Sequence, residues 1–528
     1  MKRLFTFKRG LVLLLALTLV FAAGCQAVAG VNLNGVLKNV LKTTSMEGKQ
    51  SVEVQLLVNE KSYEGIPEEE LALIKLFSKV KVDLNNVKVQ DPSNASYDGK
   101  LVFGDQVSIG FSAKMSTEAL VVEIEGAKAP FVFDLTEEGL AAFTGLSAAD
   151  LSGVTPEQQQ SITALGYELI DSAGSYLIDN LPNPDKLSVA TVNEPINGVS
   201  TSLAHIKAEL DGPAIWAWIK KYVDALAADQ KGLETFVSTV VNIVSENEAV
   251  WAAIGESNPF AAGALDGVTK EELIKELTKQ LVEGLGYLQE QIKLFEKEDP
   301  KTLAEIFNKD SYIKADLYVD SKLDVRKQIL EASFKINGAD LIPIDGIVLR
   351  SETEQWNVNG KVTSDKPVVP EQSIAIADLF DAQGYQVLRQ FDEKSVVYDL
   401  LKNKLHIGKQ EVRFYGFEDY PAIVTPTNVT IVPLRDVAEQ LGAEVGYNKQ
   451  TKNVTVFDEA TNTTIVLKEG SNQVTINGKA VKWQFPATSI DGALYVPARN
   501  FADALKAKVR WEKAGGDFKT FVVDREVS

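Results

Sequence analysis

The chain owns few of the side chains that carry difficult chemistry. It has one cysteine, Cys25, and two histidines, His205 and His406. A structural zinc site takes four Cys or His ligands and a copper site draws on several imidazoles, so these three residues meet neither requirement. His205 falls on the polar side of the alternating stretch SLAHIKAEL, His406 lies in an amphipathic run, and neither has a partner close by in sequence. No G-x-S-x-G elbow, Walker A loop or EF-hand calcium loop occurs. Ser78-x-x-Lys81 sits at the entry to a strand and lacks companion motifs, so it reads as chance. Asp316, Asp320 and Asp324 are spaced for one helix face but fall in strand and turn, where they read as solvated acids. Carboxylate pairs for glycoside hydrolysis find no support in the sequence. The expectation is a protein with no catalytic residue, no metal and no cofactor.

Cys25 has a specific reading. The chain opens MKRLFTFKRG, continues with the apolar run LVLLLALTLVFAA (11–23), and reaches Ala22-Ala23-Gly24-Cys25. A basic start, a short apolar core and small residues before a cleavage point describe an export signal, and 13 apolar residues fall short of the ~20 that span a hydrocarbon core. The cysteine after Ala-Ala-Gly resembles the lipobox of bacterial lipoproteins, which implies lipidation of Cys25 and anchoring by two acyl chains on the extracytoplasmic face of the membrane. Removing residues 1–24 deletes Lys2, Arg3, Lys8 and Arg9 and no acid, taking the formal charge from −19 to −23. That charge repels nucleic acid and anionic surfaces, so nucleic acid is excluded as a partner.

A sheet–helices–sheet pattern follows. GVLKNVLKTT reads as a short amphipathic helix and SVEVQLLV as a strand; Val80, Val82 and Leu84, then Val107, Ile109 and Phe111, alternate with polar residues as on an antiparallel sheet with one wet face. Thr155-Pro156-Glu157 starts a helix, and helices resume from Pro213 to Trp251 and again from Thr269, where Thr269 and Glu272 suit a capping box. Leu277, Leu281, Leu285, Leu288, Ile292 and Phe295 then form an apolar stripe. Alternation returns through Ile313, Ala315, Leu317 and Val319 and through residues 346–362. The fold class is α+β: a large antiparallel sheet with a helical middle section, followed by a small α+β domain of two strand–helix–strand repeats. The boundaries are a signal peptide at 1–24, the α+β region at 25–362, a linker and helical connector at 363–408, and the repeat domain at 409–528.

The repeat is written in IVPLRDVAEQLGAEVGY (431–447) and YVPARNFADALKAKVRW (495–511), which agree at seven of seventeen positions. In each copy a proline ends a strand, a short helix shows one apolar face, and alternation resumes after it. Two such units can bury those faces against each other. The doubled motif resembles the copper amine oxidase N-terminal-like, or stalk, domain over about residues 409–525. Relative to that pattern Ala498 replaces Leu, Lys506 replaces Gly, and Tyr447 stands where Trp is usual. The resemblance implies an accessory domain that spaces or attaches others, without catalysis. Arg435 and Arg499 are the candidate binding cations, weighed against arginines that bridge the repeats structurally. Tyr447 and Trp511 are candidate stacking residues, weighed against membership of the core.

The functional expectation is a non-catalytic, lipid-anchored surface protein whose partners are the membrane and a cell-wall polymer or envelope protein. The alternative is an extracytoplasmic carrier of an apolar ligand, such as a lipid, held in the N-terminal α+β region.

Overall fold

A computed structural model describes residues 31–136, 156–246, 269–335, 344–417, 419–513 and 519–528. Cys25 and the signal-like segment lie outside the described residues. The chain divides into two compact units, one comprising 1–124 and 130–375, the other 125–129 and 376–528.

The first unit is α+β. It begins with α1 (Leu33–Leu41), β1 (Met46–Val58) and α2 (Glu68–Phe77), then β2 (Lys79–Asp91), β3 (Asn94–Phe103), β4 (Val107–Met115), β5 (Ala119–Ile124) and β6 (Phe131–Asp134). Next come α3 (Pro156–Asp179), the hairpin β7 (Lys186–Ile196) and β8 (Val199–Asp211), and the helices α4 (Gly212–Ala228), α5 (Gln230–Glu246), α6 (Lys270–Glu298) and α7 (Pro300–Ile306). β9 (Tyr312–Val319), β10 (Val325–Lys335), β11 (Ile344–Trp356) and β12 (Ile374–Ala375) complete it. All twelve strands form one sheet in the order β12-β6-β5-β4-β3-β2-β1-β11-β10-β9-β8-β7. The early and late strand runs therefore meet at β1–β11, where Val54 lies opposite Leu349 and Glu53 opposite Arg350.

Because side chains alternate across a pleated sheet, register fixes two faces of opposite character. One lateral row reads Leu210, Ile313, Ala332, Leu349, Val54, Val80 and Phe103 across seven neighbouring strands. At its β8–β10 end this face is dry, packed under Leu37 of α1, Ile178 of α3, and Ile215 and Trp218 of α4. From Leu349 to Phe103 the same row is only half-buried. The opposite face carries charges of alternating sign, Lys314, Glu331, Arg350, Glu53 and Lys81 in one row, which is the favourable arrangement for cross-strand neighbours. Arg350 lies 2.8 Å from Glu53.

The capping box at the start of α6 is present in both directions: Thr269 accepts from the Glu272 backbone N–H, and Glu272 accepts from that of Thr269. No residue of this 29-residue helix is fully buried. It is held at one end by Trp216 Nε1 and Lys220, which both donate to Glu296. No helix among the described residues is long and apolar enough to cross a membrane.

The described residues of the second unit form twelve further strands. β13 (Lys409–Phe414), β14 (Ile423–Val424) and β15 (Thr430–Pro433) lead into α8 (Leu434–Gln440). A meander follows: β16 (Glu444–Asn448), β17 (Asn453–Asp458), β18 (Thr463–Lys468), β19 (Gln473–Ile476) and β20 (Lys479–Lys482). β21 (Thr488–Ile490) and β22 (Ala493–Pro497) enter α9 (Ala498–Ala504), and β23 (Lys508–Lys513) with β24 (Lys519–Glu526) close the unit. β15 pairs with β22, so the strands ahead of the two helices lie side by side. Leu434, Val437, Ala438 and Leu441 share one buried cluster with Ala498, Phe501, Ala502 and Leu505. Each copy therefore covers the other's apolar side, which is why the motif is written twice.

Candidate functional site

The chemistry of the repeat unit converges on Arg525, which is fully buried with Asp458. Both are charged residues on inward strand positions: Val523-Arg525-Val527 on β24 and its extension, and Val454-Val456-Asp458 on β17. Nη1 donates to Asp458 Oδ2 at 2.6 Å and Nη2 to Oδ1 at 2.9 Å, a bidentate pair. The remaining donors go to the Leu505 carbonyl (2.9 Å), the Leu441 carbonyl (2.7 Å) and Gln410 Oε1 (2.6 Å). All five N–H groups of the guanidinium are thus used. Thr461 adds a hydroxyl donor to Asp458.

Leu441 and Leu505 are equivalent residues at the C-terminal caps of α8 and α9. Helix ends leave carbonyls without intrahelical partners, and a cation is favoured there. One guanidinium serves both ends. After each cap the chain turns through the left-handed region, at Gly442 (φ 78°) and at Lys506 (φ 57°). The second copy tolerates lysine there at some cost in strain. The sequence reading passed over Arg525 and Asp458. The available signal was a charge at a buried parity position in each of two apolar strands, opposite in sign.

The residues chosen from sequence lie elsewhere. Arg435 is exposed and pairs with Glu439 one turn along its own helix at 2.5 Å; it does not bridge the repeats. Arg499 is exposed at the start of α9. Neither arginine enters the buried polar centre, because the first turns of both helices face solvent at those positions. Tyr447 and Trp511 keep 58% and 43% of their surface exposed, so they are not core residues. Each follows an inward valine on its strand but lies beyond the edge of the packed cluster. Trp511 leans edge-on against Phe521 at 4.9 Å, while Tyr447 stands on a different sheet, so the two do not form a common platform within one sheet.

Both histidines have carboxylate partners supplied by the fold. His205 Nε2 lies 2.6 Å from Asp316 Oδ1 in the first unit, with its ring stacked on Tyr318 at 4.4 Å. His406 Nδ1 lies 3.3 Å from Glu526. The three aspartates read as solvated acids also have structural work: Asp316 holds His205, Asp320 pairs with Arg326 at 3.1 Å, and burial pushes the Asp324 carboxyl up, with Asp320 adding to the effect. No group of three or more His, Cys, Asp or Glu among the described residues is placed to hold a metal ion.

Of the segment read as a linker and helical connector, 363–408, residues 376–408 belong to the second unit and those before them to the first. Tyr385 donates to Glu459, and burial together with that carboxylate pushes its hydroxyl up to about 12. Gln383 accepts from Gln410, the residue that receives Arg525 Nε, so this segment reaches the buried centre through one intermediary. On the outer face of β13-β24-β23, Arg413 and Arg510 interleave with Glu411, Glu512 and Asp524. Burial pushes Glu411 up, but Arg413 and Arg510 outweigh it and leave the carboxyl below its ordinary value of 4.5; hydrogen bonds from Arg510 and Arg413 hold Glu512 below it as well.

Two predictions follow from this geometry. Arg525→Met leaves Asp458 charged, buried and unpaired, and should destabilise the protein by about 3–5 kcal/mol, whereas adding Asp458→Leu should recover much of that loss. Denaturant titration of the two single variants and the double variant measures the coupling. The carboxylates Glu411 and Glu512 have depressed folded values, so their stabilisation is complete above pH 4.5 and is lost as the pH falls through the lower folded values. Glu512→Gln should therefore lower the melting temperature at pH 6 and lose its effect in acid. An effect of equal size at both pH values would contradict this reading.

No curated protein matches the chain. Residues 406–519, about a fifth of the sequence, match the copper amine oxidase N-terminal domain family, a match that stops before Arg525.

Proposed function

We propose that this chain is a non-catalytic accessory protein of the cell envelope, anchored through a lipid on Cys25 at the extracytoplasmic face of the membrane. Its repeat unit serves spacing or attachment to a wall polymer or another envelope protein. The observation that supports this reading best is how the repeat unit uses its polar groups. The buried ion pair directs every guanidinium donor at the protein itself, leaving none for a substrate. Tyr447 and Trp511 instead expose flat aromatic surface, which suits attachment rather than turnover. In a cell-fractionation experiment the unaltered chain should sediment with membranes and Cys25→Ser should be released in soluble form. Equal retention of both proteins would sink the lipid anchor.

A second reading draws on the first unit. Val52, Val54, Val80, Val82, Leu101 and Phe103 lie on the sheet face that is packed dry farther along, yet all six remain half-exposed. An apolar ligand such as a lipid chain would cover them at a gain of roughly 25 cal/mol per Å² removed from water. Native mass spectrometry of the released Cys25→Ser protein tests this. A co-purifying lipid mass that is lost on denaturation, and reduced by Val80→Asp, is the expected result of carriage; a bare protein mass leaves the accessory role alone.

A further inference from the structure

The half-exposed part of the large sheet's apolar face is interrupted by a small polar island. One lateral row carries three uncharged polar side chains in succession, Gln328 on β10, Thr353 on β11 and Gln50 on β1, each directly opposite the next. In the neighbouring row Ser351 stands between Leu330 and Val52. From β8 to β4 these two rows hold no charged residue: the first runs Ile206, Leu317, Gln328, Thr353, Gln50, Leu84, Gly99 and Phe111. Gln50, Gln328, Ser351 and Thr353 are half-buried, and among the described residues none of their side chains has a hydrogen-bond partner.

The island is not the wet rim of the sheet. Beyond Gln50 on the same face come Gly48 opposite Val87 and Met46 opposite Val89, and Val87 is buried. A polar group set in an apolar surface is hydrated while that surface is open. Once covered it is costly unless the covering molecule hydrogen-bonds to it. The two directions away from the island also differ. Toward β9 the row meets Leu317 and Ile206, packed under Leu33 and Val36 of α1, so that way is closed. Toward β3 it continues over Leu84, with Val52, Val82 and Leu101 alongside, all half-exposed. β11 and β3 lie three strand spacings apart, about 14 Å, which accommodates much of an acyl chain.

We propose that this face binds an uncharged amphiphile, its hydroxyl-bearing headgroup of the glycerol or sugar kind on Gln50, Gln328, Ser351 and Thr353 and its acyl chain over Leu84, Val52, Val82 and Leu101. The assignment rests on the carrier reading given above and adds the chemistry of the ligand. Glutamine carboxamides and hydroxyls both donate and accept, as a polyol does, and they bring no charge to pair with a phosphate or an ammonium. A wholly apolar ligand would leave four polar side chains dry and unpartnered. A charged headgroup would be desolvated there without a counter-ion.

Native mass spectrometry of the released Cys25→Ser protein reads the preference. The protein is offered dioleoylglycerol, glucosyl-dioleoylglycerol and dioleoylphosphatidylglycerol in separate detergent solutions, so that the acyl chains are constant and only the headgroup varies. An uncharged lipid should be retained at least about tenfold better than the phospholipid, and which of the two is retained tells a glycerol from a sugar headgroup. The double variant Gln50→Leu/Thr353→Val removes hydrogen-bonding groups at similar volume. It should weaken retention of the uncharged lipid by about tenfold with unchanged circular dichroism. Val80→Asp should remove every adduct. Equal retention of the phospholipid, or a double variant that keeps the original preference, would overturn the headgroup assignment while carriage stands. No adduct with any of the three lipids would overturn both. A dimer mass that is lost in Val80→Asp would give the face to a second copy of the chain and likewise overturn the proposal.

Discussion

Two short helices of the second unit end on carbonyl groups that no helical N–H can reach, and a single guanidinium meets both. That arrangement constrains everything around it. Arg525 can bridge Leu441 and Leu505 only if the repeats sit side by side, with their caps turned toward one point. Asp458 must then arrive from β17 to balance the charge, since an isolated buried guanidinium would cost far more than the two carbonyl bonds return. Gln410 takes the last donor and links the centre to the segment before β13. A buried pair of this kind adds little net stability over an apolar core of the same volume. Its contribution is to specificity, because few other packings of two seven-residue helices satisfy all five guanidinium donors at once.

The first unit obeys a different constraint, the alternation of a pleated sheet. A single register determines that Val54, Val80 and Phe103 share a face with Ala332 and Ile313, while Glu53 and Arg350 share the other. The charged face satisfies itself by ion pairs between neighbouring strands. The apolar face depends on helices, which pack it dry beneath α1, α3 and α4. Where that cover thins, the same apolar sequence pattern becomes half-exposed surface. Helix cover rather than composition separates the dry half of this face from the half that stays half-exposed.

Polar groups that could have formed a reactive site are spent internally: His205 on Asp316, Arg435 on Glu439, and Arg525 on Asp458. Among the described residues, Tyr447 and Trp511 leave aromatic surface exposed in one unit, and part of the apolar sheet face stays half-exposed in the other.

The sequence by itself determined the α+β class, because periods of two and of three to four residues record which side of a strand or helix faces water. It also determined the doubling of the last domain and the mutual cover of its repeats, since two equivalent apolar stripes in one short domain have few other places to go. The helix starts at Thr269, Pro433 and Pro497 were legible for the same local reason. Long-range partners were decided only by the tertiary structure. That β1 pairs with β11, some 300 residues away, depends on how the whole sheet closes. His205 finds its acid 111 positions along the chain, and Arg525 finds Asp458 at a separation of 67. Tyr447 and Trp511 followed the inward parity of their strands and still emerged into solvent, because parity fixes a direction and not where the packed interior ends.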